Sequence, residues 1–247
     1  MIDDDLMIVL AGATVTALAT GLGALPFLVL RDVGARLLGL SNAVAAGLML
    51  AASHSLMVEG GVIDLEFAVI GALAGLAAIV ASDRWLSGHG GGQVADLEGA
   101  DARKALLILG IMTAHSFAEG IGVGVAFGGE GDLGAYITTA IALHNVPEGL
   151  AIALVLVPRG VGVWRAAAWA VFTSLPQPLM AVPAYLFVEV FAPVLPFGLG
   201  LAAGAMIWMV FSELIPDALE SVDKGRMATA VTLAFAVMLW LQVAVFG

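Results

Sequence analysis

KALLILGIMTAHSFAEGIGVGVAFG, residues 104–128, places a histidine and a glutamate inside a long apolar stretch. As an α-helix, these 25 residues rise about 37 Å, which is enough to cross the roughly 30 Å hydrocarbon core of a bilayer. His115 and Glu119 stand four residues apart, so a helix presents both side chains on one face. Ionisable groups are costly at that depth, which makes each of them a candidate functional residue.

The next apolar stretch repeats this arrangement in residues 144–149, HNVPEG. His144 follows His115 by 29 residues, and Glu148 follows Glu119 by the same 29. The two blocks use two of the four histidines in the chain. Imidazole and carboxylate groups suit zinc and the neighbouring first-row metals. The sequence therefore predicts that these four side chains bind a divalent metal ion.

Composition indicates a membrane protein. The chain has 247 residues, of which 61% are hydrophobic, and its mean hydropathy is +1.05. Because it contains no Cys, disulfides and thiolate metal ligands are excluded. The net charge of −11 argues against nucleic acid as a partner, and the acidic residues 3–5 argue against a cleaved signal peptide. We predict one transmembrane domain over residues 1–247.

Eight apolar stretches are long enough to cross a bilayer. They cover residues 6–30, 36–58, 62–84, 104–128, 134–157, 161–188, 194–215 and 225–246. With these boundaries, all nine Lys and Arg residues fall on one side of the membrane, which the positive-inside rule makes cytoplasmic. We therefore predict an all-α integral protein of a bacterial inner (plasma) membrane, with both termini outside the cytoplasm.

The connections on the opposite side carry only acidic residues, among them Glu59, Asp64 and Glu189. Such a surface can raise the local concentration of cations. An acidic surface that only keeps a protein soluble would look the same. The longest connection, about residues 86–103, is Gly-rich and reads as a flexible loop. His89 in that loop and His54 in the second span are more simply explained as solvated and structural side chains than as ligands.

The two His–Glu blocks reach a similar depth from opposite directions. His115 lies roughly 16 Å along its helix from Lys104, and His144 roughly 18 Å along its own from Asp132, so both lie near mid-bilayer, where transporters commonly bind substrate. An ionised pair of glutamates without metal would be costly there, so we expect proton uptake on metal release. A pair of His–Glu hydrogen bonds that only joins helices is the alternative, which the repetition in register disfavours.

Proline and glycine residues near the two blocks are consistent with a metal site between closely packed helices. Pro147 cannot donate a hydrogen bond to the carbonyl group of Leu143, and Gly120 and Gly149 allow close approach of neighbouring helices. In the sixth span, Gln177 lies between two prolines, which predicts a kink. Either the kink lines a cavity, or it is a simple kink and a neighbouring side chain hydrogen-bonds the Gln177 amide.

Glu213 and Asp217 form another carboxylate pair at the spacing of one helical turn, near the cytoplasmic end of the seventh span. This pair is a candidate exit site for metal, with Glu213 as the ligand. A solvated helix end explains Asp217 equally well.

The HSFAEG block, the HNVPEG block and FSELIPD at residues 211–217, on eight spans, resemble the ZIP (Zrt/Irt-like protein) family of divalent metal transporters over essentially the whole chain. The resemblance implies a 3+2+3 inverted-repeat arrangement with the metal site between helices 4 and 5, and a homodimer. It implies elevator-type movement of spans 1, 4, 5 and 6 against spans 2, 3, 7 and 8. Zinc, and also iron, manganese or cadmium, would enter the cytoplasm as substrate, with no organic cofactor.

The chain departs from the family at a second, adjacent metal site. The ligand positions that belong to this second site alone map onto Ser116, Asn145 and Gln177, where two-metal members carry Asn, Asp and Glu. The resemblance therefore implies one high-affinity ion with at most a weak neighbour.

Two other functional classes compete with transport. An intramembrane zinc-dependent hydrolase would also use His and Glu ligands, but the sequence has no HExxH block and no evident oxyanion group. A metal-sensing or scaffold protein would bind metal without moving it. We predict a transporter, not an enzyme.

Overall fold

A computed structural model of the chain describes residues 4–29, 35–88, 93–94, 97–128 and 133–246, and these are almost entirely helical. The α-helices are α1 (Asp4–Leu22), α2 (Ala35–Gly88), α3 (Gly99–Gly128), α4 (Leu133–Leu156), α5 (Val163–Ser174), α6 (Pro176–Leu186), α7 (Val188–Phe191), α8 (Leu195–Met209), α9 (Ile215–Ser221) and α10 (Lys224–Phe246). Short 3₁₀ segments cover Leu25–Leu28, Val157–Arg159 and Ala192–Val194, and a π-helical turn covers Val210–Leu214. The all-α class predicted from the sequence is confirmed.

One small element was not predicted. Strands β1 (Gln93–Val94) and β2 (Leu97–Glu98) pair antiparallel within the connection that reads as a flexible loop. The predicted loop is also shorter in the structure, because α2 continues to Gly88 and α3 begins at Gly99. His89 lies outside the described residues.

Helix α2 reverses direction at Asp64, whose backbone is extended (φ −155°, ψ 101°). The Asp64 carboxylate accepts a hydrogen bond of 2.9 Å from the backbone N–H of Phe67, as the N-cap of a new helix does. A Cβ atom on Gly60 would lie 3.2 Å from the Cβ atom of Ala68. Residues eight apart on a straight helix are about 12 Å apart, so the chain folds back and α2 forms two arms.

Five stretches of the described residues are long and apolar enough to cross a membrane: Asp5–Leu28, Gly39–Trp85, Ala105–Gly128, Ile137–Arg159 and Val188–Ser221. The second has 47 residues, about 70 Å if straight, and its reversal divides it into two arms of bilayer length. Those arms hold the second and third predicted spans, although the reversal lies a few residues later than predicted. The full count of eight crossings stays a prediction.

The predicted sixth span is broken, as the prolines indicated. Helix α5 ends at Ser174 and α6 begins at Pro176. Pro176 can start a helix because its missing N–H is not needed at the first turn. Gln177, one residue later, is therefore in the first turn of α6, where its side chain is fully buried.

Two groups of helices pack around the middle of the molecule. Helices α1, α4, α5 and α6 surround α3, while α8, α9 and α10 pack on the arms of α2. A shared apolar core, which includes Met49, Ile108, Ile152 and Met206, joins the two groups. This arrangement buries one face of the central turns of α3 and α4, the face that carries His115, Glu119 and Glu148.

Candidate metal centre

Three of the predicted ligands converge between α3 and α4. His115 and Glu119 lie on adjacent turns of α3, and Glu148 projects from α4. The His115 Nε2 atom is 3.3 Å from Glu119 Oε1 and 2.8 Å from Glu148 Oε1. None of the three residues is more than 2% exposed. Two carboxylates are thus held against one imidazole in a site closed to solvent.

The donor set of this cluster suits a divalent cation. One ligand atom from each of the three residues lies within 4.8 Å of the other two, a separation that one ion can span with bonds of about 2.0–2.2 Å and small side-chain adjustments. His144 lies in α4, one turn before Glu148, but its side chain is outside the described part of the structure. Its role as a ligand stays a prediction.

Gln177 contacts the cluster from the opposite side of Glu119. Its Nε2 atom donates a hydrogen bond of 2.6 Å to Glu119 Oε2, while the other oxygen of the same carboxylate faces His115. The sequence left open whether this amide lines a cavity or is satisfied by a neighbour. The structure gives it neighbours on both sides and places it directly behind a predicted metal ligand.

Asn145 joins the same network from α4. Its Nδ2 group donates to the backbone oxygen of Thr16 at 2.7 Å and to Gln177 Oε1 at 3.0 Å. The Thr16 hydroxyl oxygen also lies 2.6 Å from Gln177 Oε1. Thus one buried amide links α1, α3, α4 and α6.

Close backbone contacts make these hydrogen bonds possible. A Cβ atom on Gly149 would lie 1.7 Å from the backbone oxygen of Thr20, and one on Gly120 would lie 2.5 Å from that of Gln177. Both distances are far below van der Waals contact, so only glycine fits. The glycines of the two His–Glu blocks therefore set the spacing of α4 against α1 and of α3 against α6, which confirms their predicted role.

Some buried oxygen atoms near the cluster lack a hydrogen bond among the described residues: Ser116 Oγ, Glu119 Oε1 and Asn145 Oδ1. Buried polar atoms in native proteins are nearly always satisfied. An ion in the cluster would satisfy Glu119 Oε1. Ser116 is buried, and its hydroxyl group has no hydrogen-bond partner within the described part of the chain, so its predicted role as a weak ligand stays a prediction.

Glu213 lies apart from the three-residue cluster. It belongs to the π-helical turn Val210–Leu214 and is 8% exposed. Its Oε1 atom is 3.6 Å from an Nη atom of Arg103, and Arg103 also pairs with Asp83 of α2. Its role as an exit ligand stays a prediction, while the described geometry pairs it with an arginine that it shares with Asp83.

A second arginine reaches the same stretch. Arg159, just after α4, lies 3.9 Å from the Asp217 carboxylate of α9. Arg103 lies in the first turns of α3 and Arg159 in the 3₁₀ segment after α4, and both approach residues 213–217. This places two of the basic residues that define the predicted cytoplasmic side at one end of the molecule.

His54 is not part of the centre. His54 is exposed on the first arm of α2, and its ring contacts Phe235 of α10 edge-on, with 6.3 Å between ring centroids. The structural explanation given above therefore fits it better than a ligand role.

Helix α1 contributes two buried hydroxyl residues that were not predicted from the sequence. Thr16 and Thr20 are both fully or almost fully buried, and the Thr20 hydroxyl group hydrogen-bonds that of Ser174 at 2.7 Å. The available signal was two hydroxyl residues one helical turn apart in an otherwise apolar span. Their partners lie more than 150 residues away in the chain, so the pairing itself has no local signature.

Comparison with known proteins gives consistent matches. The ZIP Zinc transporter family model matches residues 82–242. A candidate zinc transporter of Arabidopsis thaliana is 47% identical over 90% of the chain, which spans 36% of that protein. The zinc transporter ZIPB of Bordetella bronchiseptica is 36% identical over 96% of the chain and 80% of its own length. Human zinc transporter ZIP11 is 35% identical over 62% of the chain, and 46% of its length is covered.

Proposed function

We propose that the chain moves divalent metal ions across a membrane into the cytoplasm, because it belongs to the ZIP zinc transporter family. Members of this family are transporters, not enzymes. Zinc is the first candidate substrate because the similar proteins are named as zinc transporters, and iron, manganese and cadmium are further candidates. The proposed binding site is the cluster of His115, Glu119 and Glu148, with His144 as the fourth ligand.

The observation that carries this proposal is the buried His115–Glu119–Glu148 cluster. Two carboxylates from different helices face one imidazole at 2.8 and 3.3 Å, and the three residues are 0–2% exposed. Burying like charges together is unfavourable unless a cation or protons compensate them. A divalent ion compensates both carboxylates at once.

The proposal includes one transmembrane domain over residues 1–247, with eight crossings in the 3+2+3 arrangement and both termini outside the cytoplasm. The long apolar helices and the reversal of α2 at Asp64 support the crossings. The convergence of Arg103 and Arg159 at one end supports the orientation. A plasma membrane and a homodimer complete the proposal.

We further propose that the metal moves by an elevator-type displacement of α1, α3, α4, α5 and α6 against α2, α8, α9 and α10. The hydrogen bonds through Gln177 link helices of the first group only, which supports movement of that group as a unit. Protons replace the metal on the return step, because an empty site with two ionised carboxylates is costly in an apolar interior.

Metal uptake into proteoliposomes tests the proposal. Purified full-length protein should accumulate zinc from the outside, while His115→Ala protein, reconstituted in equal amount, should not. A panel of divalent ions measures selectivity, and an imposed pH gradient measures proton coupling. Zinc binding without uptake would instead support a sensor or scaffold, and no zinc binding at all would overturn the proposed site.

A further inference from the structure

We infer that Gln177 is a positioning residue for Glu119. Thr16 and Asn145 hold the Gln177 amide group in the orientation in which its amino group donates to the Glu119 carboxylate. The inference rests on the proposed function, because it assigns Glu119 to the metal. It adds a role for α1 and α6, neither of which supplies a residue to the His–Glu cluster.

The orientation of the Gln177 amide follows from a backbone atom. Only the amino end of the Asn145 side chain can donate to the backbone oxygen of Thr16, so that end, Nδ2, is fixed there at 2.7 Å. The same Nδ2 group lies 3.0 Å from Gln177, which must therefore present its own oxygen to it. The Gln177 amino group is left to face Glu119.

That amino group then constrains one half of the Glu119 carboxylate. The 2.6 Å bond from Gln177 Nε2 occupies Oε2 and leaves Oε1 directed at His115. An N–H donor to an ionised carboxylate is stronger than a neutral hydrogen bond. Gln177 thus orients Glu119 and supports its charge without adding a charge of its own.

Thr16 supports Gln177 from α1. Its hydroxyl oxygen lies within hydrogen-bonding distance of both Gln177 Oε1, at 2.6 Å, and the backbone oxygen of Ala13, at 2.7 Å. One hydroxyl hydrogen serves these two acceptors. Removing the hydroxyl group would leave the Gln177 oxygen with Asn145 alone and loosen the amide behind Glu119.

Thr20 offers a matched control on the same helix. It lies one turn after Thr16, is equally buried, and its hydroxyl group also bonds a side chain of another helix, Ser174 of α5. No described hydrogen bond links this pair to Glu119 or Gln177. Thr16→Val and Thr20→Val therefore remove similar interhelical hydrogen bonds, but only the first affects the positioning chain.

The test measures zinc affinity of the detergent-purified full chain by competition with a chelator. We expect Thr16→Val to weaken binding by about 5-fold, the value of one hydrogen bond near 1 kcal/mol, and Thr20→Val to stay within about 2-fold of the wild type. Thr16→Ser, which keeps the hydroxyl group, should restore wild-type affinity. Equal losses in the two valine variants, or no rescue by serine, would overturn the inference.

A spectroscopic readout separates positioning from mere stability. With Co²⁺ in place of zinc, the visible absorption bands report the geometry of the ligands. Gln177→Leu should shift these bands and weaken binding by about 10-fold or more, as loss of a partner of a metal ligand does. Unchanged bands in folded Gln177→Leu protein would count against positioning, and if that variant does not fold, the threonine series decides.

The two proposals fail in different ways. If the wild type binds no zinc, or if Glu119→Ala binds it normally, the proposed metal site is wrong. If Glu119→Ala abolishes binding while Thr16→Val behaves like Thr20→Val, the metal site survives and only the positioning role is overturned.

Discussion

The carboxylates of this protein occupy two contrasting regions. In the centre, Glu119 and Glu148 are 2% exposed, and their described partners are an imidazole and a neutral amide. At the end of the bundle, Asp83 and Asp217 have side chains 24% and 21% exposed and pair with Arg103 and Arg159. The carboxylates of the second region pair with fixed cations of the chain, whereas among the described side chains no Lys or Arg pairs with the first.

The contrast teaches what each region is able to do. A guanidinium group stays charged at every physiological pH, so the carboxylates at the end of the bundle face cations that do not titrate. Among the described side chains, the partners of the central carboxylates are an imidazole, which can change its protonation state, and a neutral amide. They are therefore available to a cation that arrives and leaves, which is what a transport site requires.

The largest expected effect comes from removing a central ligand. His115→Ala or Glu148→Ala should weaken zinc binding by at least about 100-fold while the protein stays folded, because each change leaves an incomplete ligand set. Chelator competition measures the affinity. Asp217→Asn, which alters a carboxylate of the other region, is the control and should bind zinc as the wild type does. Wild-type zinc affinity in both central variants would show that the two regions do not differ in metal binding.

Gly149→Ala should be nearly as damaging, through packing alone. Its Cβ atom would lie 1.7 Å from the backbone oxygen of Thr20, so α4 and α1 must separate at a cost of about 3 kcal/mol or more. The apparent melting temperature in detergent and the zinc affinity should both fall. Gly110→Ala is the control, because a Cβ atom there meets nothing within 4 Å, and it should be neutral or slightly stabilising. Comparable losses in the two variants would show that the close contact does not matter.

Metal stoichiometry sharpens the contrast between neutral and charged partners. Gln177 and Asn145 bring no charge to the centre, so a second divalent ion nearby would be repelled by the first. We expect one tightly bound ion per chain by elemental analysis. Asn145→Asp combined with Gln177→Glu should raise the value toward two. Two tightly held ions in the wild type would contradict this expectation but not the family assignment.

The smallest effect is expected at the end of the bundle. Arg159→Gln removes a partly exposed ion pair with an N–O distance of 3.9 Å, worth at most about 1 kcal/mol and weakened by salt. Zinc affinity should be unchanged, and any loss of thermal stability should disappear at high ionic strength. A loss of affinity would show that the two regions are coupled.

Much of the candidate centre follows from the sequence because its signals are local. The i, i+4 spacing puts His115 and Glu119 on one face of α3, and the apolar flanks bury them. The glycines of the two blocks predicted close helix contacts, and the structure shows that the partners are α1 and α6. The break before Gln177 follows from its neighbouring prolines, which cannot continue a regular helix.

Other features have no local signature. Nothing around Thr16 indicates that it faces Gln177, because that contact depends on how α1 and α6 are rotated about their axes and on where they cross. The same holds for Arg103 and Glu213, which read separately as a loop cation and a candidate ligand. The position of the reversal at Asp64 also depends on a single residue in a long apolar run, which hydropathy alone locates only to within several residues.

The sequence by itself determined an all-α chain with long apolar helices and two His–Glu blocks, because composition and helical periodicity act over one or two turns. The tertiary structure decided that one oxygen of Glu119 faces His115 while a buried amide holds the other. It also decided which carboxylates pair with arginine. Hydrogen bonds form only within about 3 Å, and helix packing alone brings atoms from distant parts of the chain that close.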